Sequence, residues 1–146
     1  MANTEVIRYN QKELLKLLDW SVSVMYDKFG KTKMYPKILS FEKQKKGKDL
    51  KPLDYGEQEK LAIALHACFA PFLENLQKFC SCLTKLERLI CCLALRFSPL
   101  TISLCMGYEN TDCFKTHKSR IKKKMVELSD YAFLFDFIFK QNNREF

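Results

Sequence analysis

LTKLERLICCLALRFSPLTISLCMGYENTDCFKTHKSRIKKKM, residues 83–125, is the stretch that decides the fold. It opens with Thr84-Lys85-Leu86-Glu87. A threonine followed three residues later by glutamate is a capping box: the hydroxyl accepts from the glutamate amide, and the carboxylate reaches back to the cap. Leu86, Leu89, Ile90, Leu93 and Phe97 then fall on one helical face. Ser98-Pro99 restarts the chain, with serine as N-cap and proline at the first helical position, where its missing N–H costs nothing. Leu100, Ile102, Leu104, Cys105 and Met106 give a helix of about two turns. Gly107 stands where a helix ends with positive φ. Asn110 can cap a third helix, whose inner stripe is Phe114, Ile121, Met125 and Leu128. A short helix, a glycine-containing turn and a longer helix make the helix-turn-helix pattern of DNA-binding proteins.

Charge points the same way. Between Thr111 and Val126 lie Lys115, Lys118, Arg120, Lys122, Lys123 and Lys124, against Asp112 alone among acids. At 100° per residue, the side opposite Phe114 and Ile121 holds Asp112, Thr116, Ser119 and Lys123, flanked by Lys115 and Arg120. Short polar groups and a few long cations suit base edges in a major groove, and neighbouring cations suit phosphates. The candidate DNA-binding residues are Thr111, Asp112, Lys115, Thr116, Ser119, Arg120, Lys122, Lys123 and Ser98. Ser98 and the amides behind it are expected to meet a phosphate at the short helix's N-terminus. The plainer alternative is a solvated basic face on a helical bundle.

Outward from this unit the chain also reads as helical. Residues 1–30 place Leu14, Leu15, Leu18, Val22, Met25 and Phe29 at three- and four-residue steps. Asn3 or Thr4 can cap that helix and Gly30 can end it. Ile7, Leu14, Leu18 and Met25 also fit a short heptad seam, which makes 1–30 a candidate dimerisation element. Residues 31–56 change character: eight lysines fall between Lys31 and Lys51, interrupted by Pro36 and Gly47, with Pro52 and Gly56 beyond. This segment is expected to be a mobile or surface-hugging connector, with Ile38-Leu39-Ser40-Phe41 as a short ordered turn or docked strand. It is either a soluble linker or a phosphate-tracking strip. Residues 57–82 read as helix with a kink or break expected at Pro71. In residues 129–146, the run Tyr131 to Phe139 alternates aromatics like a strand. It also fits a helix buried on more than one side, which is preferred because nothing else offers a sheet to join. It belongs to the core or to a dimer interface.

The predicted fold class is all-α, a helical scaffold (1–82) followed by a helix-turn-helix bundle (83–128) and an aromatic C-terminal helix. A net charge of +8 favours phosphate-bearing partners. No segment has the run of about 18–20 apolar residues a membrane span needs, and the polar N-terminus is no signal peptide. The expectation is a cytoplasmic protein that does not engage membranes. Its seven cysteines, an odd number with Cys91 and Cys92 adjacent, then read as reduced, buried hydrophobes. No standard zinc spacing, glycine-rich phosphate loop, Ser–His–Asp set or carboxylate pair stands out. No metal, cofactor or enzymatic activity is expected.

Residues 83–125 resemble the output domain of bacterial LuxR/GerE-type transcription regulators and, more loosely, sigma-factor region 4. The matching features are Leu83-Thr84 with Glu87, Ile102, and Phe114-Lys115-Thr116-His117 followed by Ile121 and Lys124-Met125. Ser103 and Phe114 replace the family's usual alanine and valine. The resemblance implies binding to duplex DNA through residues 111–125, usually as a homodimer; RNA polymerase or another regulator is a candidate partner on the adaptor reading. The alternative function is a protein-interaction adaptor whose helix-turn-helix no longer reads DNA.

Overall fold

Asp54, Thr84 and Ser98 each accept, through a side-chain oxygen, from a first-turn amide of the helix they precede. The computed structural model describes residues 2–43, 50–127 and 132–140. Among them it has helices α1 (Ala2–Phe29), α2 (Tyr35–Lys43), α3 (Tyr55–Cys68), α4 (Ala70–Phe79), α5 (Lys85–Ala94), α6 (Pro99–Cys105), α7 (Asp112–Glu127) and α8 (Ala132–Ile138), and no strand. The all-α expectation holds. Leu128, Tyr131 and the lysines at 45, 46 and 48 lie outside the described residues, as do the side chains of Ile7 and Leu14.

α1 is already helical at Ala2, so Asn3 and Thr4 lie inside it rather than capping it. Leu18, Val22, Met25 and Phe29 are buried, and Leu15 is half-buried. The Gly30 amide closes the helix on the Tyr26 carbonyl at 2.8 Å. Tyr26 carries α1 into the centre of the molecule. Its hydroxyl donates to the Cys92 carbonyl at 2.6 Å, and the Arg96 guanidinium lies 4.9 Å from its ring centroid. Tyr26, Phe29, Phe69 and Phe97 meet edge-to-face with centroids 4.9–6.0 Å apart. Each such pair contributes about 0.5–1.5 kcal/mol beyond area burial. Burial holds the Tyr26 phenol well above its ordinary pKa, so it remains a donor.

The connector is more ordered than expected. Residues 35–43 form a helix rather than a turn or docked strand, because three-residue spacing puts Ile38 and Phe41 on one face, and both are buried. α2 packs on α6. Lys37 forms a surface ion pair with Glu57 at the start of α3. A nine-residue helix is marginal alone, and packing supplies its stability.

The segment expected to kink or break at Pro71 is two helices. Asp54 and Glu57 form a capping box, which starts α3 at Tyr55. The chain breaks at Phe69, and Pro71 sits in the first turn of α4, where proline is tolerated. The aromatic tail is helical: Leu134, Phe135, Ile138 and Phe139 are buried within the chain, and Phe133 and Phe137 are half-buried. Phe139 faces Phe114 of α7 at 6.4 Å. Core rather than interface is therefore its place in the described structure. One apolar cluster runs from Leu18 of α1 to Phe139, so scaffold and helix-turn-helix share a single core.

Seven cysteines form no disulfide. Burial pushes the Cys105 thiol up to about 12 and raises Cys91 and Cys92 as well. These thiols stay protonated and pack as small hydrophobes.

Candidate nucleic-acid interface

α5 fixes the unit from behind. The Glu87 amide donates to Thr84 Oγ1 at 3.1 Å, and the Thr84 amide donates to Glu87 Oε1 at 2.8 Å. The same carboxylate oxygen takes the Lys124 ammonium of α7 at 2.6 Å. Glu87 is only 3% exposed. Its burial favours the neutral acid, but the hydrogen bonds from Lys124 and Thr84 outweigh that and hold its pKa below the usual carboxylate value. One glutamate thus caps α5 and ties α7 to it. Lys124 is half-buried and spent on this tie.

α6 begins as the sequence indicates. Ser98 Oγ accepts from the Thr101 amide at 3.3 Å, with Pro99 as the first helical residue. Gly107 has φ of +90°, the left-handed region that a side chain resists. The Asp112 amide then donates to Asn110 Oδ1 at 3.0 Å, starting α7. Phe114, Ile121 and Met125 are buried against the core, with Ile121 and Met125 fully sealed.

That burial orients the rest of α7. Asp112, Lys115, Thr116, Ser119, Arg120, Lys122 and Lys123 are all exposed, and Thr111 is half-buried at the helix start. The Thr111 carbonyl accepts from the Lys115 amide, and Thr116 Oγ1 donates back to the Asp112 carbonyl at 3.2 Å. The outward side therefore carries an acid, short hydroxyls and long cations along a 16-residue helix.

One position differs from expectation. Ser98 was expected to meet a phosphate, but a carboxylate of the same chain occupies that end of α6. Glu42 Oε2, from the last turn of α2, accepts from the Ser98 amide at 3.1 Å, from Ser98 Oγ at 2.9 Å and from the Thr101 hydroxyl. Lys122 is exposed on the flank of α7, with its ammonium over the Phe135 ring of α8 at 5.8 Å. Lys118, which the sequence argument left out, lies beside it, 5.6 Å from the Phe139 centroid. The i, i+3, i+7 spacing of Lys115, Lys118 and Lys122 would have placed all three on one flank. Glu42 carried no comparable local signal, since its partners lie more than fifty residues away.

Among the described residues no group of three or more His, Cys, Asp or Glu side chains is placed to hold a metal ion. Among them no helix is long and apolar enough to cross a membrane. No protein-family model matches the chain, and no curated protein or solved structure gives a significant match.

Proposed function

We propose that this chain is a non-catalytic DNA-binding protein, a transcription regulator that lays α7 in the major groove of duplex DNA. The observation that carries the proposal is the division of α7. Phe114, Ile121 and Met125 are locked in the core, while Asp112, Lys115, Thr116, Ser119, Arg120 and Lys123 stand exposed behind a glycine turn. A rigid helix with hydroxyls and cations on its outward side can hydrogen-bond base edges and hold phosphates at once. Fluorescence anisotropy with labelled duplex at several salt concentrations tests this. Binding that weakens steeply with salt, and that Lys115→Glu abolishes with helical circular dichroism intact, is the expected result. Absence of binding at low salt refutes it.

A homodimer completes the proposal. Leu17 and Trp20 of α1 are 62% and 70% exposed, on the side away from Leu18, Val22 and Met25. Two copies paired through this side would present two recognition helices to a two-fold-symmetric site. Cytoplasmic location follows from such a role.

The adaptor reading draws on a different surface. A hollow of about 210 Å³ lies between α3, α5 and α6, lined by Leu61, Leu65, Leu89, Leu93 and Met106, with exposed Leu86 and Tyr108 at its walls. Retention on purified RNA polymerase, lost in Leu86→Asp, together with no affinity for duplex DNA, would select it.

A further inference from the structure

α8 does more than close the core. It lies along one flank of α7, and between the two helices is a cleft of about 320 Å³ lined by Lys115, Lys118, Ser119, Lys122, Phe135 and Asp136. The three lysines recur at i, i+3 and i+7, so their ammonium groups share one wall. Phe135 of α8 and Phe139, just past its end, supply ring faces under Lys122 and Lys118. A cation held over a ring loses rotamer freedom while its charge stays intact. Lys118 is partly desolvated, and burial together with the Lys122 charge lowers its pKa from the ordinary lysine value. Three like charges on one wall of a cleft raise the local positive potential there. Asp136 is the single acid among the lining residues.

We infer that the α7–α8 cleft is the track for one strand's phosphodiester backbone, with Asp136 as a built-in competitor that weakens the hold. This inference rests on the DNA-binding proposal and adds a division of labour to it. The front of α7, from Asp112 through Thr116 to Lys123, meets bases, whereas the cleft lysines meet phosphates and set register without reading sequence. α8 is then a positioning element for the cations rather than only a lid on Phe114.

The slope of log Kobs against log salt tests this with the full chain and one labelled duplex. Each backbone contact removed lowers the slope by about 0.9. Lys115→Ala and Lys122→Ala are expected to lower it by about that amount each and to weaken binding equally for unrelated duplexes. Asp136→Asn is expected to tighten binding. Lys60→Ala, an exposed lysine on α3, is expected to leave the slope unchanged. Duplex binding with an unaltered slope in Lys115→Ala and Lys122→Ala overturns the cleft alone. An equal loss in Lys60→Ala also overturns it, because the effect would then be bulk charge. No binding by the native chain overturns the DNA proposal and the cleft with it.

Discussion

Removing the Glu87 carboxylate should loosen α7 from α5 more than any surface change could. In Glu87→Ala the return half of the capping box, from the Thr84 amide to the carboxylate, is lost, at a cost of about 1 kcal/mol. The ion pair to Lys124 is lost as well. Removing one partner of a fully sealed pair costs about 3–5 kcal/mol. The Lys124 side chain keeps 26% of its surface exposed against 4% for Glu87, so its ammonium can turn to water and recover part of that loss. The expected total is about 2–3 kcal/mol. Glu87→Gln keeps an acceptor for the Thr84 amide and loses the charge, for about 1–2 kcal/mol. Urea unfolding followed by circular dichroism measures both variants, and a double-mutant cycle with Lys124→Met isolates the pair. The pH dependence has a definite sign. The folded carboxyl has a lowered pKa, so its contribution is present above the unfolded value of about 4.3 and is lost as pH falls through the folded one. The gap between native protein and Glu87→Gln should therefore shrink on acidification. A Glu87→Ala loss under about 0.5 kcal/mol, or no coupling to Lys124, would refute the reasoning.

Phe114→Ala removes a side chain only 1% exposed and packed on Phe139, and should cost about 3–5 kcal/mol in the same assay. Gly107→Ala should cost about 1–2 kcal/mol from positive φ alone. Its Cβ would also fall 2.7 Å from Gln58 Nε2, so the Gln58 side chain must shift; a thermal melt reports the sum. Glu42→Gln should weaken the hold of α2 on α6, seen as faster amide exchange at Ser98 and Thr101 with the rest of α6 unchanged. Trp20→Glu should convert the proposed dimer to monomer in sedimentation velocity while leaving helical content intact.

What the sequence revealed was chemistry that acts within a few residues. Thr84 with Glu87, Ser98 with Pro99, and Gly107 each settle a helix end through their nearest neighbours in the structure, while Asn110 accepts from the Asp112 amide one residue ahead of the cap position, which Thr111 takes. Burial of Phe114, Ile121 and Met125 followed from helical periodicity. The Asp54–Glu57 capping box was equally local, and recognising it would have started α3 at Tyr55 rather than near Glu57. α2 was hidden for another reason. Its lysines and Pro36 suggest a linker, and what makes it a helix is burial of Ile38 and Phe41 beneath partners distant in the chain. The Glu42 clamp on Ser98 and the rings under Lys118 and Lys122 are likewise tertiary, so propensity and spacing along one helix did not show them.

The central claim, that the outward side of α7 receives duplex DNA, is tested most directly by amide chemical-shift mapping of the isotopically labelled chain on addition of a short duplex at low salt. The account predicts that shifts concentrate from Thr111 to Lys123 and at the neighbouring α8 cleft residues, and that they fade as salt rises. Shifts gathered instead on α3 and α4, or no shifts at any duplex concentration, would contradict it.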